Sequence, residues 1–183
     1  LFGRRLRRWE YAGLVGAPDS AQVDLYPSTN HLYLDVSDPL GARYRAHHEI
    51  CLLNGRLVLV NEGCRIHIES MQRKGLGLRM FHRQLENAKT LGITRIETNA
   101  GRKHGENGYY TWPRFGFDGR LPTQVQRRLP SSMEGVCYVL DLMACERGRQ
   151  WWKQHGRTIS VAFDMADRSR SQLVFDQYLH RYQ

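Results

Sequence analysis

Ile66-His67-Ile68-Glu69-Ser70-Met71-Gln72-Arg73-Lys74-Gly75-Leu76-Gly77-Leu78-Arg79-Met80-Phe81 is the stretch that decides how this chain folds. A short alternating apolar run stops at Gln72–Gly77, and an amphipathic helical pattern begins at once. A glycine-rich turn between strand and helix lets backbone N–H groups converge on one point, and the new helix adds its positive dipole end. That arrangement suits a pyrophosphate. A dinucleotide fingerprint is excluded, because its third glycine would fall at Met80. A Walker loop is excluded as well, since Gly-Lys-Ser/Thr at the required spacing is absent.

Working outward, Leu78, Phe81, Leu85, Ala88 and Leu91 recur at three- and four-residue spacings and predict one apolar helical stripe closed by Gly92. Ile93–Thr98 follows as a β-branched alternating strand. After a polar loop comes Tyr109-Tyr110-Thr111-Trp112-Pro113-Arg114-Phe115-Gly116-Phe117. Gln72, Gly75 and Gly77 stand in the register of the Gln/Arg-x-x-Gly-x-Gly/Ala signature, and the Gly116-Phe117 pair follows at about the expected distance. In this order the chain resembles the GNAT superfamily of acyl-CoA-dependent N-acyltransferases, most clearly over residues 56 to 142.

That resemblance implies a GNAT-like α/β (α+β) fold: a mixed, mostly antiparallel twisted sheet flanked by helices, here with a C-terminal extension. It implies acetyl-CoA, or another acyl-CoA, as co-substrate, and an amine on a small molecule, peptide or protein as acceptor. Backbone N–H groups of Arg73, Lys74, Gly75, Leu76, Gly77 and Leu78 would hold the pyrophosphate, with Gln72 opening the cofactor-binding signature. The strand through Ile66 and Ile68 would pair with the pantetheine arm, and Trp112 would lie near the thioester. Glu62, His67 and Glu69 are the candidate bases for the acceptor amine, with Glu62 closest to where relatives place one. Glu69 has a second reading as the partner of Arg73 or Lys74, and His67 a second reading as a core residue.

The sequence departs from the family where an acid is expected. Trp112 stands where relatives often carry a tyrosine, and an indole N–H does not deliver a proton. Gly105 and Gly108 replace the usual Asn and Ala upstream. Tyr109 or Tyr110 would have to supply the hydroxyl, and Tyr110 is the candidate. Two alternatives therefore stand beside the enzyme. One is a non-catalytic GNAT-fold module that binds CoA or a partner. The other is a toxin-like acetyltransferase directed at charged tRNA.

The second alternative rests on charge. The net charge is +9, and of 27 basic residues only four are lysine, the rest being arginine. Arginine forks suit phosphate and carboxylate. A solvated basic face is the simpler reading, and no aromatic-interleaved RNA-binding signature accompanies it. No run approaches the roughly 18 apolar residues of a membrane span, and no secretory leader is visible; the scattered cysteines, read as reduced, suit a cytoplasmic protein. The chain begins at Leu1, which leaves a trimmed start open. Cys51, Cys64, Cys137 and Cys145 lack metal spacing and read as reduced core thiols. His47-His48-Glu49-Ile50-Cys51 and Cys64-x-x-His67 contain ligand types, but alternation along a strand separates neighbours, so no metal is expected.

Three regions follow: a basic arm and first strand over residues 1–30, an acyl-CoA-binding core over 31–142, and a strand/helix extension over 143–183. A strand is expected near Val23–Tyr26, a second over His31–Val36, and Asp38-Pro39-Leu40-Gly41 is a turn. Ala42–Leu53 and Arg56–Val60 form a hairpin about Asn54-Gly55, and Cys64–Glu69 leads to the glycine loop. The N-terminal helices usual in the family are not evident. Further on, the pattern predicts a short helix within Leu121–Leu129 and a strand over Val136–Leu142, similar to the family's last strand. A helix over Glu146–His155, a strand over Thr158–Phe163 and a helix over Ser169–Tyr182 follow, the last packed through Leu173, Val174, Tyr178 and Leu179.

Overall fold

Asn54 and Gly55 adopt φ values of 50° and 74°. These are the paired left-handed conformations of a two-residue hairpin turn, and they join the two longest strands of the chain. The computed structural model describes residues 3, 5–40, 43–67, 75–103 and 106–181. Its elements run α1 (Arg8–Leu14), β1 (Gln22–Pro27), β2 (His31–Ser37), β3 (Tyr44–Leu53), β4 (Arg56–Ile66), α2 (Leu76–Thr90) and β5 (Ile93–Ala100). They continue with α3 (Gly108–Arg114), α4 (Thr123–Gln126), a 3₁₀ turn at Ser131–Met133, α5 (Val139–Met143), α6 (Glu146–His155), β6 (Ile159–Asp164) and α7 (Arg170–His180). The architecture is α/β, with a six-stranded mixed sheet in chain order, β1-β2-β3-β4-β5-β6, flanked by helices. Two compact units divide inside β5, one covering residues 1–96 and the other 97–183.

In the first unit β1 to β4 form an antiparallel meander. Strand β1 is outermost and ends at Pro27, with Asp24 at its middle. Alternation along β3 buries Tyr44, Ala46, His48 and Ile50 on one face. Leu34 and Val36 from β2 and Leu59 from β4 complete that core. Helix α2 buries Met80, Phe81, Gln84, Leu85 and Ala88, with Leu91 just beyond its end. The expected stripe is thus present, although Leu78 is only half-buried. Gly92 closes the helix at φ 75°.

Three expectations for this unit are corrected. Residues 8–14 form the helix α1 inside the predicted arm. The Arg56–Val60 run and the run that starts at Cys64 are continuous in β4 as far as Ile66, because a bulge absorbs the polar residues between them. Neither Cys51 nor Cys64 lies in the core: Cys51 is half-buried and Cys64 exposed, and in the second unit Cys137 is half-buried and Cys145 exposed.

The second unit is held by aromatic rings. Phe115, Phe117, Phe163 and Phe175 are buried and meet edge to face, with centroids 5.6 Å apart for Phe117–Phe163 and 6.2 Å for Phe115–Phe175. Trp152 is wholly buried, and its indole Nε1 donates to the Tyr109 carbonyl at 2.8 Å. Helix α6 has the predicted bounds, and Cys145 Sγ accepts the Gly148 N–H at its start. Helix α7 is capped by Ser169 Oγ, which accepts from the Gln172 N–H. Its buried side centres on Ser171 and Phe175, while the expected Leu173 is exposed.

The predicted strand over Val136–Leu142 is also corrected: Val139–Met143 is the helix α5. A continuous apolar run fits a buried strand or a buried helix equally well, and the available hydrogen-bond partners decide. Here the Asp118 carboxylate accepts the Leu140 N–H at 3.1 Å, and the Gly119 carbonyl accepts the Val139 N–H at 3.0 Å. These acceptors hold the first N–H groups of a helix. Asp118 itself pairs through its backbone with Ala162, so the β6 position lies with residues 159–164.

At Gly116, φ is 91° and an added Cβ would lie 2.2 Å from the Ser171 carbonyl oxygen. Gly116→Ala is expected to destabilise the protein by roughly 2–4 kcal/mol through left-handed strain and overpacking together. Urea denaturation measures it, and a loss under about 0.5 kcal/mol, typical of a neutral surface change, contradicts this packing.

Candidate functional site

Opposite His47 and His48, the β3–β4 register slips by one residue: His48 faces Asn61, His47 faces Gly63, and Glu62 is left without a partner. Glu62 is therefore the extra residue of a β-bulge, with its side chain exposed. Its neighbour Asn61 turns inward to a buried polar chain. Asn61 Nδ2 donates to Gln84 Oε1 at 2.9 Å, and Gln84 Nε2 returns a bond to Asn61 Oδ1 at 3.1 Å. Gln84 Nε2 also donates to the Leu14 carbonyl at 3.0 Å, and His48 Nδ1 lies 2.8 Å from Asn61 Oδ1. Only the tautomer with hydrogen on Nδ1 makes this a donor–acceptor pair, which leaves the Nε2 lone pair bare. Among the described residues, Nε2 has no partner.

Beyond Glu62, β4 ends at Ile66, which pairs with Tyr44, and the His67 N–H donates to the Arg43 carbonyl at 2.7 Å. Ile66 is half-buried, and His67 is exposed, so its reading as a core residue is corrected. Ile68, Glu69, Gln72, Arg73 and Lys74 lie outside the described residues. The chain resumes at Gly75, the N-cap of α2, at φ 74° and ψ 7°, a left-handed conformation natural to glycine. Its carbonyl accepts the first helical bond, from the Arg79 N–H, at 2.9 Å.

The start of α2 is electropositive. No acidic residue stands in its first turn and no side chain caps it among the described residues. The Arg79 guanidinium curls back, 3.3 Å from where a Cβ on Gly75 would be. Among the described residues, a Cβ at Gly77 would meet no atom within 4 Å. Leu76 and Leu78 are half-buried beside it. Arg79 was missed in the sequence; its signal is a basic residue four positions after the N-cap, where a helix brings it back over its own first turn.

The remaining candidates belong to the second unit. Tyr109 is committed to structure: its hydroxyl donates to the Lys153 carbonyl at 2.8 Å. Tyr110 is half-buried, with the Arg114 guanidinium 5.5 Å and Lys153 Nζ 5.9 Å from its ring centre. Trp112 packs against Phe117 at 4.8 Å and Phe115 at 6.1 Å. The Gly116-Phe117 pair is accounted for by close packing on α7 and by wholly buried aromatic contacts.

Ligand types also meet where alternation makes them share a face. Glu49 and Cys51 lie two residues apart on β3, and His31 joins them from β2, with one ligand atom from each within 4.8 Å of the others. Sequence reading noted Glu49 and Cys51 but not His31, because cross-strand register brings it in.

No protein-family model matches this chain, and no curated protein matches it. Among the described residues, no helix is long and apolar enough to cross a membrane.

Burial holds His48 neutral, pushing its pKa from 6.5 down to about 4, with the Asn61 contact pulling the other way. Below pH 6.5 the unfolded chain therefore takes up a proton that the folded chain refuses until about pH 4. The stability from this group is complete above pH 6.5 and is lost as pH falls toward 4, by about 3 kcal/mol at most. Denaturant titrations at pH 7.5 and 4.5 should show that His48→Gln removes this share of the acid sensitivity. An unchanged difference between the two pH values would refute the assignment.

Proposed function

We propose that this chain is a GNAT-type N-acyltransferase that moves an acyl group, by default acetyl, from acyl-CoA to an amine. The observation that carries this reading is the run from the bulge at Glu62, through the end of β4, to a left-handed Gly75 at the electropositive start of α2. It is supported by the signature register of Gln72, Gly75 and Gly77 and by the order strand, helix, strand through β5. The bulge supplies what a thioester site needs: a backbone N–H freed from its ladder, able to polarise a carbonyl as negative charge develops on its oxygen.

In this reading the N–H groups from Arg73 to Leu78 hold the diphosphate, with Arg79 adding charge above Gly75. The strand through Ile66 and Ile68 pairs with the pantetheine amides. Glu62 accepts a proton from the acceptor ammonium, directly or through water. The amine lone pair then attacks the thioester carbon, the C–S bond breaks with its electron pair on sulfur, and CoA leaves as a thiolate. A thiolate leaves readily, so the reaction does not require a tyrosine at Trp112. Tyr110 is the residue offered for protonating sulfur; His67 and Glu69 are the other offered bases.

A non-catalytic CoA-binding module is the second reading, and one observation favours it. Trp112 stands at the usual acid position and is packed on Phe115 and Phe117.

Calorimetry with acetyl-CoA is expected to give saturable heat, weakened at least tenfold in Gly75→Val, whose left-handed φ and helix-start position no β-branched residue matches. Absence of heat with the native protein overturns both readings. Thiol release across a panel of amines separates them, because transfer gives CoA and the module does not. For an active acceptor, Glu62→Gln should lower kcat about 100-fold and flatten the pH profile; unchanged turnover removes Glu62 as base.

A further inference from the structure

The solvent-facing side of the first unit's meander brings together a His/Glu/Cys set of metal-ligand side chains. Antiparallel register places His31 directly opposite Cys51, Tyr33 opposite Glu49, and Asp35 opposite His47. Directly opposed residues have Cβ atoms about 5 Å apart, and a diagonal neighbour is within reach of a longer side chain. His31, Cys51 and the diagonal Glu49 therefore converge. Their ligand atoms all lie within 4.8 Å of one another, and His31 Nδ1 contacts Glu49 Oε1. All three side chains are half-buried: shielded enough to be held, open enough for an ion to enter. The Tyr33 ring lies parallel to the His31 imidazole, 7° between planes at 6.1 Å.

We propose that His31, Glu49 and Cys51 form a binding site for a borderline divalent cation, best matched by Zn²⁺. One thiolate, one imidazole and one carboxylate are the donors zinc accepts, and the soft sulfur disfavours Mg²⁺ and Ca²⁺. Donors of a tetrahedral zinc ion are roughly 3.3–3.7 Å apart, given bond lengths of about 2.0–2.3 Å. Reaching that spacing requires the short His31–Glu49 contact to open and the longer separations, within 4.8 Å, to close, through side-chain rotation. On binding, the ion takes the place of the hydrogen bond between His31 Nδ1 and the Glu49 carboxylate, the imidazole proton passes through solvent to Nε2, and the Cys51 thiol proton is released to solvent. Three protein ligands leave one position for water, the pattern of an accessible zinc site rather than a closed structural one. The nearby Asp35–His47 pair, 2.7 Å between Oδ1 and Nδ1, keeps a second carboxylate and imidazole on the same face.

This site is independent of the acyl-transfer reading. Its test uses tag-free, chelator-stripped protein titrated with Co²⁺ alone, then with Zn²⁺ in competition. One Co²⁺ per chain is expected, with a thiolate-to-cobalt charge-transfer band that Zn²⁺ abolishes. The band should persist in Cys64→Ser and vanish in Cys51→Ser. His31→Ala and Glu49→Ala should each weaken binding at least tenfold. Circular dichroism and melting of the metal-free variants keep folding separate from binding, and Glu49→Gln gives a second, nearly isosteric check. A band that survives in Cys51→Ser, equal affinity in the His31 and Glu49 variants, or no band at all overturns the proposal.

Discussion

The first unit depends on a ring of two amides closed inside its core. Asn61 and Gln84 bond each other reciprocally, Gln84 reaches on to the Leu14 carbonyl, and His48 completes the chain. Three side chains that would each be unfavourable to bury alone become acceptable once most of their polar atoms are paired, with His48 Nε2 left bare among the described residues. The geometry this demands is narrow. It fixes the turn of α2 about its axis, sets the end of α1 beside it, and holds β4 where its register slips. A leucine pair would fill similar space without specifying any of these relations.

Function, as proposed, inherits that fixity. The bulge that frees Glu62 follows the residue the amide ring holds, and α2, whose first turn carries Gly75 and Arg79, is gripped at Gln84 two turns further on. A backbone site for an anion works only if its N–H groups stay convergent, so in the proposed reading the buried amides would serve it by holding α2 in place. The second unit uses a different device. Edge-to-face phenyl rings and the Asp118 carboxylate organise α5, β6 and α7 with few buried polar side chains.

Much of this was legible in the chain because local chemistry decided it. Asn54-Gly55 specifies a hairpin wherever it falls between alternating runs, and Gly92 ends α2 as its position implies. Glu146–His155 is helical to the residue. What stayed hidden depends on partners distant in sequence. Val136–Leu142 has strand composition, yet acceptors at Asp118 and Gly119 draw it into a helix. Gln84 sits on a face that a hydrophobic pattern would give to leucine, and only Asn61 explains it. Glu62 was singled out by its distance from Gln72, but nothing local announces that it is the unpaired residue of a bulge. His31 is one strand away from Glu49 and Cys51, and pairing register is not written in any short window. Ile68, Glu69, Gln72, Arg73 and Lys74 lie outside the described residues, so the glycine loop is known from Gly75 onward.

Pro27 closes β1, the border strand of the meander. A foreign segment approaching there meets a ring instead of an amide hydrogen, and Asp24 in mid-strand adds an unneutralised charge to any stacked copy. Tyr26 and Leu25 remain open to water on that border. The molecule thus keeps sticky side chains in view while denying them the backbone ladder that fibrous self-association would need.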